Sequence, residues 1–176
     1  ERHAGPRRYI MAPRILIAGI GNIFLGDDAF GVEVAQRLAQ RSLPDGVRVV
    51  DYGIRGFDLA YAMMDEPEVT ILVDAAPRGE QPGTLYLIEP DLAEIAQAGA
   101  SIETHSMNPV RVLQLVQTLG GQPGRVLVLG CEPQSFDSDD GHIGLTPPVA
   151  AAADEAVHML EELIASLLAE LSLNTH

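Results

Sequence analysis

Short apolar runs, dense in β-branched residues, set the strongest limit on what this chain can fold into. "RILIAG" (14–19) is continuously apolar after its arginine, as expected of a strand covered on both faces. "VRVVDYG" (47–53) and "VTILVDA" (69–75) share that richness and each carries an aspartate near its end. "RVLVLGC" (125–131) is another such run, and "GTLYLIE" (83–89) follows the turn signal Pro82-Gly83. Helical patterns lie between and after these five strands. Phe30, Val34 and Leu38 recur four apart within 29–41, and 58–64 reads as a short helix. Val112, Leu115, Val116 and Leu119 form an apolar stripe in 109–121, opened by Pro109 and stopped by Gly120-Gly121. The last helix, 147–172, repeats Val149, Ala153, Val157, Leu160, Ile164, Leu168 and Leu171. Strands alternating with helices imply one α/β domain over residues 13–172, with a mostly parallel five-stranded sheet covered on both faces. Residues 1–12 read as an extension outside that fold, with Met11 as a natural starting point.

The chain has 176 residues, enough for one domain with a real core. Its 11 Lys and Arg against 25 Asp and Glu give a net charge of -14, which repels nucleic acid and anionic membranes. Neither is therefore expected as a partner, whereas a neutral, cationic or metal-bearing one is compatible. No apolar run approaches the roughly 18 residues of a membrane span, and "ERHAGPRRYIM" lacks the apolar core of a signal peptide. The single cysteine, Cys131, allows no internal disulfide and reads as a small buried hydrophobe. A reducing compartment, the cytoplasm, is the expectation.

In α/β sheets of this kind, ligands bind beyond the carboxyl ends of the strands. There lies "GIGNIFLGDDAFG" (19–31). Its glycines suggest a phosphate cradle, but Phe24 occupies the third glycine position of the dinucleotide fingerprint, and no Lys-Ser or Lys-Thr follows. An arriving anion would also meet Asp27 and Asp28. One of these two acids is expected to cap the following helix; the other is free to face the strand ends. Asp74 closes the third strand. It either caps the turn before "AAPRG" or serves a ligand, since a carboxylate there is costly unless partnered. His105, in "ETHSMNP", is alone an ordinary loop histidine. With Asp28 and Asp74 it makes a candidate set of two carboxylates and one imidazole. That set suits a borderline divalent ion such as nickel or zinc, with positions left open. Only the fold can unite residues so far apart in sequence.

Four blocks in order, "ILIAGIGNIFLGDDAFG", "ILVDAAPRGEQPGTL", "THSMNPVRVLQL" and "VLVLGCEPQSFDSDDGHIGLTPPV", together resemble the hydrogenase maturation endopeptidases across about residues 14–165. These proteases remove the C-terminal tail of the large subunit of [NiFe]-hydrogenases. The resemblance implies a twisted sheet sandwiched by helices, of the phosphorylase/hydrolase-like kind. It implies a metal-contacting set on Asp28, Asp74 and His105. The metal it implies is nickel already loaded in the precursor of the large subunit, which is the expected partner; zinc or cadmium could replace it in a crystal. No resident cofactor is implied. Asp27 or Asp28 would then act as base toward water, and "GCEP" and "GHIGLTP" would shape the substrate groove. The chain carries neither H-E-x-x-H nor G-x-S-x-G. A nickel chaperone or sensor using the same ligands without proteolysis is the alternative, and a nucleotide-binding module the third.

Overall fold

A computed structural model describes residues 13–65, 67–97, 107–137 and 143–175. Five strands, β1 (Ile15–Ile20), β2 (Val47–Gly53), β3 (Val69–Ala75), β4 (Leu85–Ile88) and β5 (Arg125–Cys131), form one sheet in the order β2-β1-β3-β5-β4. β1, β2, β3 and β5 run parallel, and β4 is the antiparallel edge. The helices are α1 (Phe30–Ala39), α2 (Gly56–Met64), α3 (Leu92–Gln97), α4 (Pro109–Thr118) and α5 (Pro147–Leu173).

The unbroken apolar runs have the cause expected of them. Along β1, Ile15 and Ile17 join the core under α1 and α5, with Phe30, Leu38, Val157 and Leu160. Leu16 and Ala18 join the opposite core under α2 and α4, with Leu59, Met63, Val112 and Val116. A strand buried on both faces has no position for a polar residue, so alternation disappears.

Three details depart from expectation. β4 is shorter than 83–89. The six-residue α3 was not expected; it has no fully buried residue, and only Leu92 and Ile95 pack partly against the core. The first helix is also preceded by a separate 3₁₀ turn, Gly26–Ala29.

The chain passes from β1 outward to β2, then returns to lay β3 on β1's other side. The carboxyl ends of β1 and β3 therefore flank a topological switch point, where connections diverge and leave a crevice. Gly31 lets α1 start close upon this edge: a Cβ there would lie 2.0 Å from the Val73 carbonyl oxygen and 2.4 Å from that of Ile20. No described helix is long and apolar enough to cross a membrane.

Candidate active site

Asp28 and Asp74 meet at the switch point. Asp74 ends the wholly buried β3 and is itself only 3% exposed. Its Oδ1 is buried without a hydrogen-bond partner. Asp28 sits in the 3₁₀ turn beyond β1, 9% exposed, and its Oδ2 accepts from the Asn22 N–H at 2.8 Å. Gly21 permits this approach. Its φ is +139°, and a Cβ there would lie 1.8 Å from the Asp28 carbonyl oxygen.

Both carboxyls are raised, Asp74 in part by Asp28. Burial pushes Asp28 above its ordinary value, opposed by the Asn22 N–H. Asp74 stands well above the carboxylate range, raised by burial first and by the charge of Asp28 second, with the Ala75 N–H opposing. Two buried acids with one orphan oxygen are satisfied by a shared proton or by a cation. An oxygen-rich, doubly anionic pair with open valence fits a divalent ion, to which an imidazole would add a third donor. His105 lies outside the described residues. Among the described residues, no cluster of three or more His, Cys, Asp or Glu side chains is placed to hold a metal.

Asp27 faces the other way, and the expected capping role is corrected. No side chain caps the 3₁₀ turn or α1. Asp27 is instead fully buried and ties three segments together. Its Oδ2 accepts from the N–H of Gln134 at 2.8 Å and of Ser135 at 3.0 Å. Its Oδ1 accepts from the Thr146 N–H at 2.8 Å, and the Thr146 hydroxyl donates to both oxygens. With both oxygens engaged and no exposed surface, Asp27 has nothing to offer a water molecule. This is also the use made of "GCEP" and "GLTP": Gln134 and Ser135, just after the first, and Thr146, within the second, hold the Asp27 clamp.

Glu132 is a residue the sequence reading passed over. It is 5% exposed and accepts from the Arg78 N–H at 2.7 Å, the Gly79 N–H at 3.2 Å and the Tyr86 hydroxyl at 2.7 Å. Burial raises its carboxyl, but the Tyr86 hydroxyl and the N–H groups of Arg78, Gly79 and Glu80 outweigh this and hold it below its ordinary value. Tyr86 in turn is pushed up to about 12, by burial and by Glu132. The turn that leaves Asp74 is thus pinned from β5. The sequence signal was an acid directly after an apolar strand, the same signal that marked Asp74.

Asp51, at the end of β2, accepts from the Gln36 amide at 3.1 Å. Cys131 has no exposed surface, and its thiol is pushed up to about 12 by burial, then by the charges of Asp27 and Glu132. It is the inert core residue expected.

Residues 32–163 match the family model described as hydrogenase maturation protease. The Hydrogenase 2 maturation protease of Escherichia coli is 34% identical over 155 residues, 88% of this chain and 90% of that protein. The coenzyme F420 hydrogenase subunit delta of Methanothermobacter thermautotrophicus is 32% identical over 83% of this chain and 91% of its own. Among solved structures, the hydrogenase maturating endopeptidase HybD from E. coli superposes with a TM-score of 0.71 at 32% identity, covering 87% of this chain and 93% of that one.

Proposed function

The chain belongs to the hydrogenase maturation protease family, and from that premise we propose that it is an endopeptidase that removes the C-terminal extension of a [NiFe]-hydrogenase large subunit after nickel insertion. The observation that carries the finer reading is the unpartnered Oδ1 of Asp74 beside Asp28. A resting protein gains nothing from two buried acids, one of which raises the other. A substrate that arrives with a cation relieves both.

In this reading Asp28, Asp74 and His105 engage substrate-borne nickel, which marks the precursor as loaded and fixes the cleavage segment against the sheet edge. The metal can also polarise the scissile carbonyl. Of the two acids in the first loop, Asp28 is the base, because Asp27 has both oxygens occupied. Only one Asp28 oxygen, Oδ2, accepts from the Asn22 N–H, which leaves Oδ1 to take the proton. Asp28 takes a proton from water as the oxygen adds to the scissile carbonyl carbon. The tetrahedral adduct then collapses, the C–N bond breaks, and the departing amine of the tail receives that proton. In this reading the reaction takes place in the cytoplasm.

The test is incubation with nickel-loaded large-subunit precursor, reading the released tail by mass spectrometry. Wild-type protein releases the tail; Asp74→Asn and His105→Ala release none while keeping the native circular dichroism spectrum. Stable association without release identifies a nickel chaperone or sensor instead, and wild-type processing by both variants removes the site assignment.

A further inference from the structure

Three of the chain's four phenylalanines are exposed, and all three stand on the edge that carries Asp28 and Asp74. Phe24 is 67% exposed, Phe57 61% and Phe136 38%. Ile23, Leu25 and Ile54 join them, each more than a third exposed. Phenylalanine is among the residues most often buried, and a gathering of such side chains in water marks a surface that something covers.

The loops that bear them are tied side by side. The Gly21 N–H donates to the Gly53 carbonyl at 3.0 Å, next to Ile54. The Asp27 N–H donates to the Ser135 carbonyl at 3.0 Å, next to Phe136. Residues 19–26 hold no charge, in a chain whose net charge is -14. The edge is therefore a largely apolar collar around a sunken pair of acids, in which the charges of Arg55 and Asp58 beside Phe57 pair with each other and Asp137 follows Phe136.

We infer that this collar, centred on Phe24, Phe57 and Phe136, is the docking surface for the large-subunit precursor, engaging an apolar protein surface that surrounds the bound cation. The inference rests on the function proposed above. Charge selects the occupant. A second copy would bring two acid pairs and two chains of net charge -14 together. An anionic membrane is repelled in the same way. A partner offering a cation within a mainly apolar face meets both parts of the surface, the floor and the rim.

The rim supplies affinity without touching the bond being cut, so its loss falls on KM and spares kcat. The test compares full-length wild type, the triple variant Phe24→Ser/Phe57→Ser/Phe136→Ser, and Leu87→Ser/Leu173→Ser as an apolar control away from the edge, on nickel-loaded precursor. The triple variant is expected to raise KM by about tenfold or more, with kcat and the control within about twofold of wild type. Should the triple variant lose its native spectrum, Phe24→Ser and Phe57→Ser singly are each expected to raise KM about threefold. Wild-type KM in these variants overturns the collar while leaving the proposed function standing. Failure of wild-type protein to release the tail overturns both. Sedimentation velocity is run alongside: a monomer is expected, and a dimer abolished by the triple variant assigns the collar to self-association and overturns the inference.

Discussion

Replacing Asp27 by alanine separates a structural acid from a chemical one. The substitution removes the acceptor for three part-buried backbone N–H groups and one hydroxyl. Hydrogen bonds to a charged acceptor contribute about 1.5–3 kcal/mol each, and an orphaned buried donor costs about 1–3 kcal/mol. Three orphaned donors would set an upper bound near 9 kcal/mol on those values. The loops at 134–135 and 146 can open to water, so the net loss settles at about 3–5 kcal/mol, the range for breaking a hydrogen-bond network. For a domain of this size each kcal/mol lowers Tm by about 2–4 °C. Asp27→Ala should therefore melt roughly 6–20 °C below wild type in a thermal scan followed by circular dichroism. Asp27→Asn keeps one carbonyl oxygen and should fall between the two. Tm within about 2 °C of wild type for the alanine variant would refute the clamp, since even one orphaned donor costs that much.

Asp74→Asn is expected to act in the opposite direction. The folded-state carboxyl lies above its unfolded value of 3.8, so the native state binds more protons and stability falls as pH rises from there through the folded value. The asparagine variant escapes this loss: its urea midpoint should hold nearly level over that window and exceed wild type at neutral pH by about 1 kcal/mol in free energy, while tail release is lost. Glu132→Gln removes the charge that the Tyr86 hydroxyl faces, and the phenol, raised to about 12, should move back toward 10 in a difference absorbance titration against wild type. Cys131, buried and raised to about 12, should resist iodoacetamide in the native protein at pH 8 and react once the protein is unfolded in urea.

The sheet was legible because burial of β1 and β3 on both faces erases alternation, and runs such as "ILIA" and "TILV" are short and rich in branched aliphatic residues, as strands are. The switch point was also within reach, since Asp28 and Asp74 follow strands that the parallel order places side by side. What escaped were partnerships set by tertiary contact alone. The bonds from Gln134, Ser135 and Thr146 to Asp27 span more than a hundred residues. Glu132 reaches back 54 residues to Arg78. No spacing rule encodes such contacts. The exposed phenylalanines were equally hidden, because nothing in "NIFLG" or "IRGF" distinguishes an apolar side chain that packs inward from one left in water.

Asp27 and Asp28 are neighbours with opposite duties, and the 3₁₀ turn is the reason. At three residues per turn, successive side chains point roughly 120° apart. One acid turns toward the loops after β5 and at the start of α5, and the other toward β3. Had the turn been extended or absent, the pair could not serve both sides of the same crevice. The linkage has a consequence for mutagenesis. Asp28 is anchored through the backbone that Asp27 fixes, so loss of activity in Asp27→Ala cannot by itself name Asp27 a catalytic base. The distinction lies in the pairing of activity with stability: a clamp loses both together, whereas an acid of the ligand pair loses activity as the fold holds or gains.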